Sequence, residues 1–325
     1  MYRVETGPDE LDKYQAHFLT SIKTHLMASK ELYILENQNT IIEGRNVKVG
    51  DMLVNRLVPS DYVDNVGPFL LLDHSYPIGF KKGMPFSPHL NEHPHRGLVT
   101  FTYVIDGEVE HFDSLGNREI VAEGGAHWLS AGRGVIHGDR VSDRLVHSGG
   151  NLHAIQFWTN IPAAHKSDLP QYKALKAEAF PVATLSNHGG VIRILLGKCG
   201  SYESPVQSFS EAFLYRVTLN AKSEFRISVG EEMKNAIFVP DDLVIVNGSL
   251  VGKSQLLILG NECDEIVLRN PGISNADAYI LGGPEPAERV IVQGPFAMNS
   301  HKEIADAYRD FFAGEYGTIP QTRKV

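Results

Sequence analysis

Two histidines one residue apart, His93 and His95 in Glu92-His93-Pro94-His95-Arg96-Gly97, are answered further along by His137 and Asp139 in Gly134-Val135-Ile136-His137-Gly138-Asp139. Side chains alternate between the two faces of a strand, so residues two apart share a face and each doublet aims two donors at one point. A fold that uses both doublets must bring two strands together with these faces aligned. Four such donors make a metal shell. Imidazole and carboxylate without thiolate suit Fe(II), Mn, Co, Ni or Cu as well as Zn, and leave positions free for other ligands. With 14 histidines in the chain, one such pair alone is commonly a solvated or hydrogen-bonded surface pair. Two pairs, each beside glycines and separated by strand-like sequence, point to a site.

The surrounding texture is all-β. From about residue 40 onward, short alternating or β-branched runs are broken by glycine and by Asp/Asn turns. Leu98 to Ile105 and Glu108 to Phe112 flank Asp106-Gly107, a pair that signals a hairpin because both residues tolerate positive φ. Further strands are expected over 118–121, 126–130, 135–141 and 152–158, and many short strands at even spacing favour a sandwich or barrel. Residues 160–186 contain Pro162, Pro170 and Pro181 and a helical-looking stretch from Gln171 to Glu178. A second β-rich segment follows, with strands over 213–219, 236–239, 243–246 and 255–259. No histidine lies between His188 and His301, so imidazole chemistry belongs to the first half.

Longer helices are expected at the two ends. Leu11, Tyr14, Phe18, Ile22 and Leu26 form an apolar stripe over residues 8–29. At the other end Ser300 and Glu303 fit a capping box, Ile304, Ala307, Tyr308, Phe311 and Phe312 form a stripe, and Gly314 follows. The 325 residues divide into an amino-terminal helical extension (1–35), a metal-binding β domain (36–165), a linker (166–186), a second β domain without a metal site (187–285), and a tail with its docking helix (286–325).

Composition narrows the function classes. A net charge of −9 opposes direct nucleic-acid binding, which relies on concentrated Lys and Arg. No apolar run is long enough for a membrane span, and the acidic start from Met1 to Glu10 does not read as a signal peptide. The two cysteines, Cys199 and Cys263, are too few and too far apart for a disulfide framework. A cytoplasmic protein is expected.

Five segments in order carry a family resemblance: Pro68 to His74, His93 to Gly97, Ser114 to Asn117, Ala131 to His137, and Gly294 to Asn299. Over about residues 40–313 the chain resembles pirin-like proteins, a branch of the cupin superfamily. The resemblance implies two tandem cupin β-barrels, a bicupin, with one mononuclear metal, usually iron, in the amino-terminal barrel. It places the family's three histidine ligands on His93, His95 and His137. The fourth family ligand, a glutamate, falls on Asp139, which is one methylene shorter, about 1.5 Å less reach. A second departure is Val99, where pirins commonly carry glutamate.

Several pirin-like proteins resemble quercetin 2,3-dioxygenases. The resemblance therefore implies metal-dependent cleavage of a flavonol-type aromatic substrate by O2, with Asp139 as the catalytic base. Others in the family resemble non-catalytic, redox-responsive iron proteins acting through a protein partner, and an isomerase on the same scaffold is a third, weaker alternative. Arg96, Arg133, His74, His89 and His127 are further residues placed by sequence near the site. Trp128 and Trp158 read as core residues or pocket walls.

Overall fold

The computed structural model describes residues 39–50, 52–83, 91–230, 232–260 and 263–320. The expected amino-terminal helix and His89 lie outside the described residues. The first half contains β1 (Thr40–Ile42), β2 (Arg45–Val49), β3 (Met52–Val58), β4 (Phe69–Phe80), β5 (His93–His95), β6 (Leu98–Asp106), β7 (Glu108–Asp113), β8 (Arg118–Ala122), β9 (Ala126–Ser130), β10 (Val135–Val141) and β11 (Gly150–Asn160). Then come β12 (Gln171–Leu175), β13 (Val182–Thr184), β14 (Gly190–Leu196), β15 (Lys198–Cys199), β16 (Tyr202–Glu203), β17 (Phe213–Leu219), β18 (Glu224–Ser228) and β19 (Met233–Val239). The last strands are β20 (Val244–Val246), β21 (Ser249–Val251), β22 (Gln255–Ile258), β23 (Glu265–Arg269), β24 (Ala276–Pro284), β25 (Ile291–Gln293) and β26 (Phe296–Met298).

Each half is a pair of sheets. In the first, the order β12-β9-β6-β11-β4-β3-β2 stands against the smaller sheet β5-β10-β7-β8. In the second, β1-β22-β19-β24-β17-β14-β13 accompanies β18-β23-β20-β21. Among the described residues no hydrogen-bonded ladder closes either pair into the expected barrel, so both are two-sheet β domains with open edges. Their large sheets share one hydrophobic core, in which Leu57, Phe101, Trp128 and Phe157 meet Leu195, Leu214, Phe238 and Tyr279. On β6, Val99, Phe101 and Tyr103 enter that core. Thr102 is left on the opposite face, toward the cavity inside the first domain.

Two local expectations need correction. The Asp106-Gly107 turn does not close a hairpin: β6 pairs with β9 and β11, whereas β7 pairs with β8 and β10. Gly107 has the predicted positive φ of 84°, but the turn carries the chain from the large sheet to the small one, beside the backbone carbonyl of Asn151. Asn247-Gly248, by contrast, does close a hairpin, between β20 and β21. The stretch Gln171 to Glu178 is not a helix. Its first five residues pair with β9, because an open ladder edge satisfies their backbone more completely than an isolated short helix would.

The expected linker is thus built into both sheets, β12 on the first and β13 on the second. The chain ends also cross over. Strand β1 pairs with β22 of the second domain. The carboxyl-terminal helix, His301–Phe312, ties to the first domain through Arg96 and Asp310 at 2.7 Å. Ser300 caps that helix, its Oγ accepting from the Glu303 N–H, while the Glu303 carboxylate accepts from the Asn299 N–H instead of closing the reciprocal bond to Ser300.

Candidate metal centre

The small sheet sets the two doublets side by side. Strands β5 and β10 are antiparallel, with His93 opposite His137 and His95 opposite Val135. The three rings of His93, His95 and His137 stand with centroids 4.6 to 4.9 Å apart. One nitrogen from each lies within 4.8 Å of the others, a spacing that a single ion can bridge. His95 and His137 are each only 1% exposed.

Backbone carbonyls settle two of the tautomers. His93 Nδ1–H donates to the Asn91 carbonyl at 2.7 Å, and His95 Nδ1–H donates to the Pro295 carbonyl at 3.0 Å. With Nδ1 engaged, each ring has its Nε2 left to coordinate an ion, and such outer partners are what orients a ligating histidine. Among the described residues, the His95 Nε2 and both His137 nitrogens are buried without a hydrogen-bond partner. Unpartnered buried nitrogens are costly unless something else occupies them. Burial holds His137 down at about 4 and His95 well below the ordinary histidine value, reinforced at both by neighbouring imidazoles. Neutral rings with free lone pairs are the donor set a transition-metal ion requires, so the residues fit such an ion.

Asp139 stands next to this group, joined to a different one. Its donor atoms cluster with His111 and His137. The Asp139 Oδ1 accepts from His111 Nδ1 at 2.8 Å and lies 3.6 Å from His137 Nδ1, while Oδ2 accepts from Thr102 Oγ1 at 3.1 Å. His111 reaches Asp113 on its other side at 3.3 Å, and Asp113 is itself fixed by the backbone N–H groups of Leu115 and Asn117. Burial alone would lower His111, but hydrogen bonds to the two carboxylates outweigh it and raise the imidazole to about 9. Burial would raise Asp139, yet the hydrogen bond from His111 and the nearby His137 imidazole hold it well below the usual carboxylate range.

Other predicted neighbours are placed elsewhere. Arg96 points to Asp310 and Tyr316, a link to the carboxyl-terminal helix, and Arg133 is exposed. His127 donates to the Val109 carbonyl and accepts from the Tyr172 hydroxyl. His74 is buried at the domain boundary against His153 and Ser254. Val99 lies in the shared core, so a glutamate missing there takes nothing from the cavity. Trp128 is core, whereas Trp158 packs edge-on to His95 at 4.8 Å and lines the cavity.

Sequence reasoning missed His111, Asp113 and Thr102. His111 and Asp113 form a third i, i+2 donor doublet, and that spacing was the available signal.

His93 and Asp139 open onto a cavity of about 490 Å3 with largely apolar walls, among them Val54, Phe80, Val141, Ile155 and Trp158. The segment from Gly294 to Asn299 supports the centre from behind. Pro295 holds His95, the Ala297 N–H donates to the Arg96 carbonyl, and Gly97 has a φ of 74° where any Cβ would strike the Ala297 carbonyl.

Comparison with known proteins agrees with this architecture. A Pseudomonas aeruginosa protein provisionally named a quercetin 2,3-dioxygenase is 30% identical over 78% of this chain and 87% of its own. The crystal structure of a quercetin 2,3-dioxygenase from Acinetobacter baumannii is 28% identical, covers 86% of this chain and 98% of that one, and superposes with a TM-score of 0.80. The bacterial pirin YhhW from Escherichia coli, solved in complex with nickel(II), shares the fold at 21% identity and a TM-score of 0.59, over 76% of this chain and 100% of that one. Residues 51–159 match the Pirin family and residues 214–317 match the Pirin C-terminal cupin domain. This chain belongs to the pirin family.

Proposed function

We propose that the protein is a metal-dependent dioxygenase of flavonol-type aromatic substrates. In this reading one metal ion, Fe(II) in first place, is held by His93, His95 and His137, with Asp139 as the fourth donor and the proton acceptor. The observation that carries it is the set of unpartnered, neutral imidazole nitrogens beside a largely apolar cavity. The similar proteins named quercetin 2,3-dioxygenases, and the nickel(II) held by a fold relative, support it.

A bound divalent ion supplies a Lewis acid that acidifies an enolic hydroxyl. The chain supplies the rest. Apolar walls exclude water and give a flat ring a surface, with Trp158 beside His95. Asp139, oriented by His111 and Thr102, takes the hydroxyl proton. A carboxylate held so far below its usual range is a weak base, so it serves only a hydroxyl that is already acidified.

That weakness favours a second reading, a non-catalytic iron-binding regulator that answers to redox state through a protein partner. The two are separated by anaerobic purification, metal removal, and reconstitution with Fe, Mn, Co, Ni or Cu, followed by O2 uptake and carbon monoxide release with quercetin. Turnover that needs the metal and is lost in His93→Ala supports the dioxygenase. Stoichiometric metal with no turnover for any ion moves the weight to the regulator.

A further inference from the structure

A polar row crosses the cavity of the first domain. Register sets Arg56 opposite Asp73, Asp73 opposite Gln156, and Gln156 opposite Thr102. Directly paired residues share a sheet face, and all four line the cavity that also reaches His93 and Asp139. One end of the row is tied to the candidate centre through the bond from Thr102 to Asp139. The other end is Arg56, three strands away. Strands in a sheet are about 4.8 Å apart, so the backbone positions of Arg56 and Thr102 are separated by about 14 Å.

Asp73 fixes the guanidinium. Arg56 Nε donates to Oδ1 at 2.8 Å and Nη2 to Oδ2 at 2.6 Å. The pair is not sealed off: the Asp73 side chain is 6% exposed but that of Arg56 is 22% exposed. An arginine has five N–H donors, and this fork uses two, leaving the Nη1 edge without a hydrogen-bond partner among the described residues. A purely structural role is the plain alternative, since cross-strand ion pairs are common. Placement inside a largely apolar cavity, in line with the candidate centre, argues for recognition. Asp73 balances the charge of Arg56 itself, so the pair offers directed donors that a neutral oxygen can accept from.

We propose that the Arg56–Asp73 pair is a second recognition point, reading a hydroxyl or carbonyl oxygen on the end of an elongated, planar phenolic substrate remote from the metal. The assignment rests on the dioxygenase reading and adds a rule of polarity to it: an apolar middle with oxygen at both ends.

The test compares quercetin with galangin, the same flavonol without hydroxyls on its pendant ring, by anaerobic binding titration of the Ni(II)-loaded full chain. Wild type should bind quercetin about tenfold more tightly than galangin, the scale of one hydrogen bond to a charged donor. Arg56→Met should erase that preference and leave galangin binding unchanged. Since Arg56→Met alone strands the Asp73 carboxylate, the double variant Arg56→Met/Asp73→Asn is titrated beside it and should behave alike. Galangin binding that stays intact while the preference for quercetin is absent in wild type, or survives in both variants, overturns this inference and leaves the dioxygenase reading standing. Failure of wild type to bind either flavonol overturns both.

Discussion

Acid should weaken this fold through the histidine pair at the domain boundary. His74 Nε2 and His153 Nε2 are 2.7 Å apart, and His74 Nδ1 is 2.8 Å from Ser254 Oγ, which also accepts from the Asn55 amide. His153 Nδ1 lies 3.3 Å from Asp241, itself paired with Lys253. One assignment of protons satisfies every partner: Ser254 donates to His74, His74 to His153, and His153 to Asp241. Both rings are then neutral, and an added proton has no acceptor between the two Nε2 atoms. Burial, then the neighbouring His153, lowers His74 to about 3, and burial also lowers His153. In the unfolded chain each ring takes a proton below about pH 6.5. The unfolded state therefore binds more protons between about 6.5 and 3, and stability falls as the pH drops through that window. Down to pH 4.5 the His74 contribution alone is worth about 2.5 kcal/mol, at about 1.4 kcal/mol per pH unit. Urea unfolding from pH 7.5 to 4.5 measures it, with His74→Phe/His153→Leu as the reference. Other buried histidines titrate equally in both proteins, so the difference in slope isolates the pair. Wild type should lose at least 2 kcal/mol more than the variant over that range. Parallel curves would refute the proton assignment.

Asp139→Asn should retain metal while lowering flavonol turnover by at least about 100-fold, the scale of a lost general base, and His111 should fall from about 9 toward the ordinary histidine value in an NMR titration. Lys166 is buried and donates to the carbonyls of Gly97 and Ala297 and to Asn160. Lys166→Met removes all three of these buried bonds and should cost about 3 kcal/mol or more, visible as a lowered Tm. Gly107→Ala should cost about 2 kcal/mol in urea unfolding, because a Cβ at φ 84° would meet the Asn151 carbonyl at 2.0 Å.

How much was legible in the sequence depended on distance along the chain. Alternation alone predicts that His93 and His95 share a face, as do His137 and Asp139, and the structure sets β5 beside β10. The partner on the other flank of β10 is fixed by sheet order, which no local pattern encodes, and so the role of His111 stayed hidden although its i, i+2 spacing to Asp113 is plain. The same limit explains Asp106-Gly107. Its backbone preference was legible, but whether the next strand folds back or crosses to another sheet is decided by nonlocal packing. Strand β1 entering the sheet of the second domain, and the helix His301–Phe312 docking on the first, are likewise products of tertiary contact. Arg56 and Asp73 are ordinary strand residues in sequence, and only register places them in one row with Thr102.

The central claim, one metal ion held by three histidines of the first domain, is tested most directly by metal stoichiometry. Chains purified anaerobically and loaded with Fe(II) or Ni(II) should hold one equivalent in wild type, and His95→Ala and His137→Ala should lose it while remaining folded by circular dichroism. A full equivalent retained by either folded variant would contradict the account.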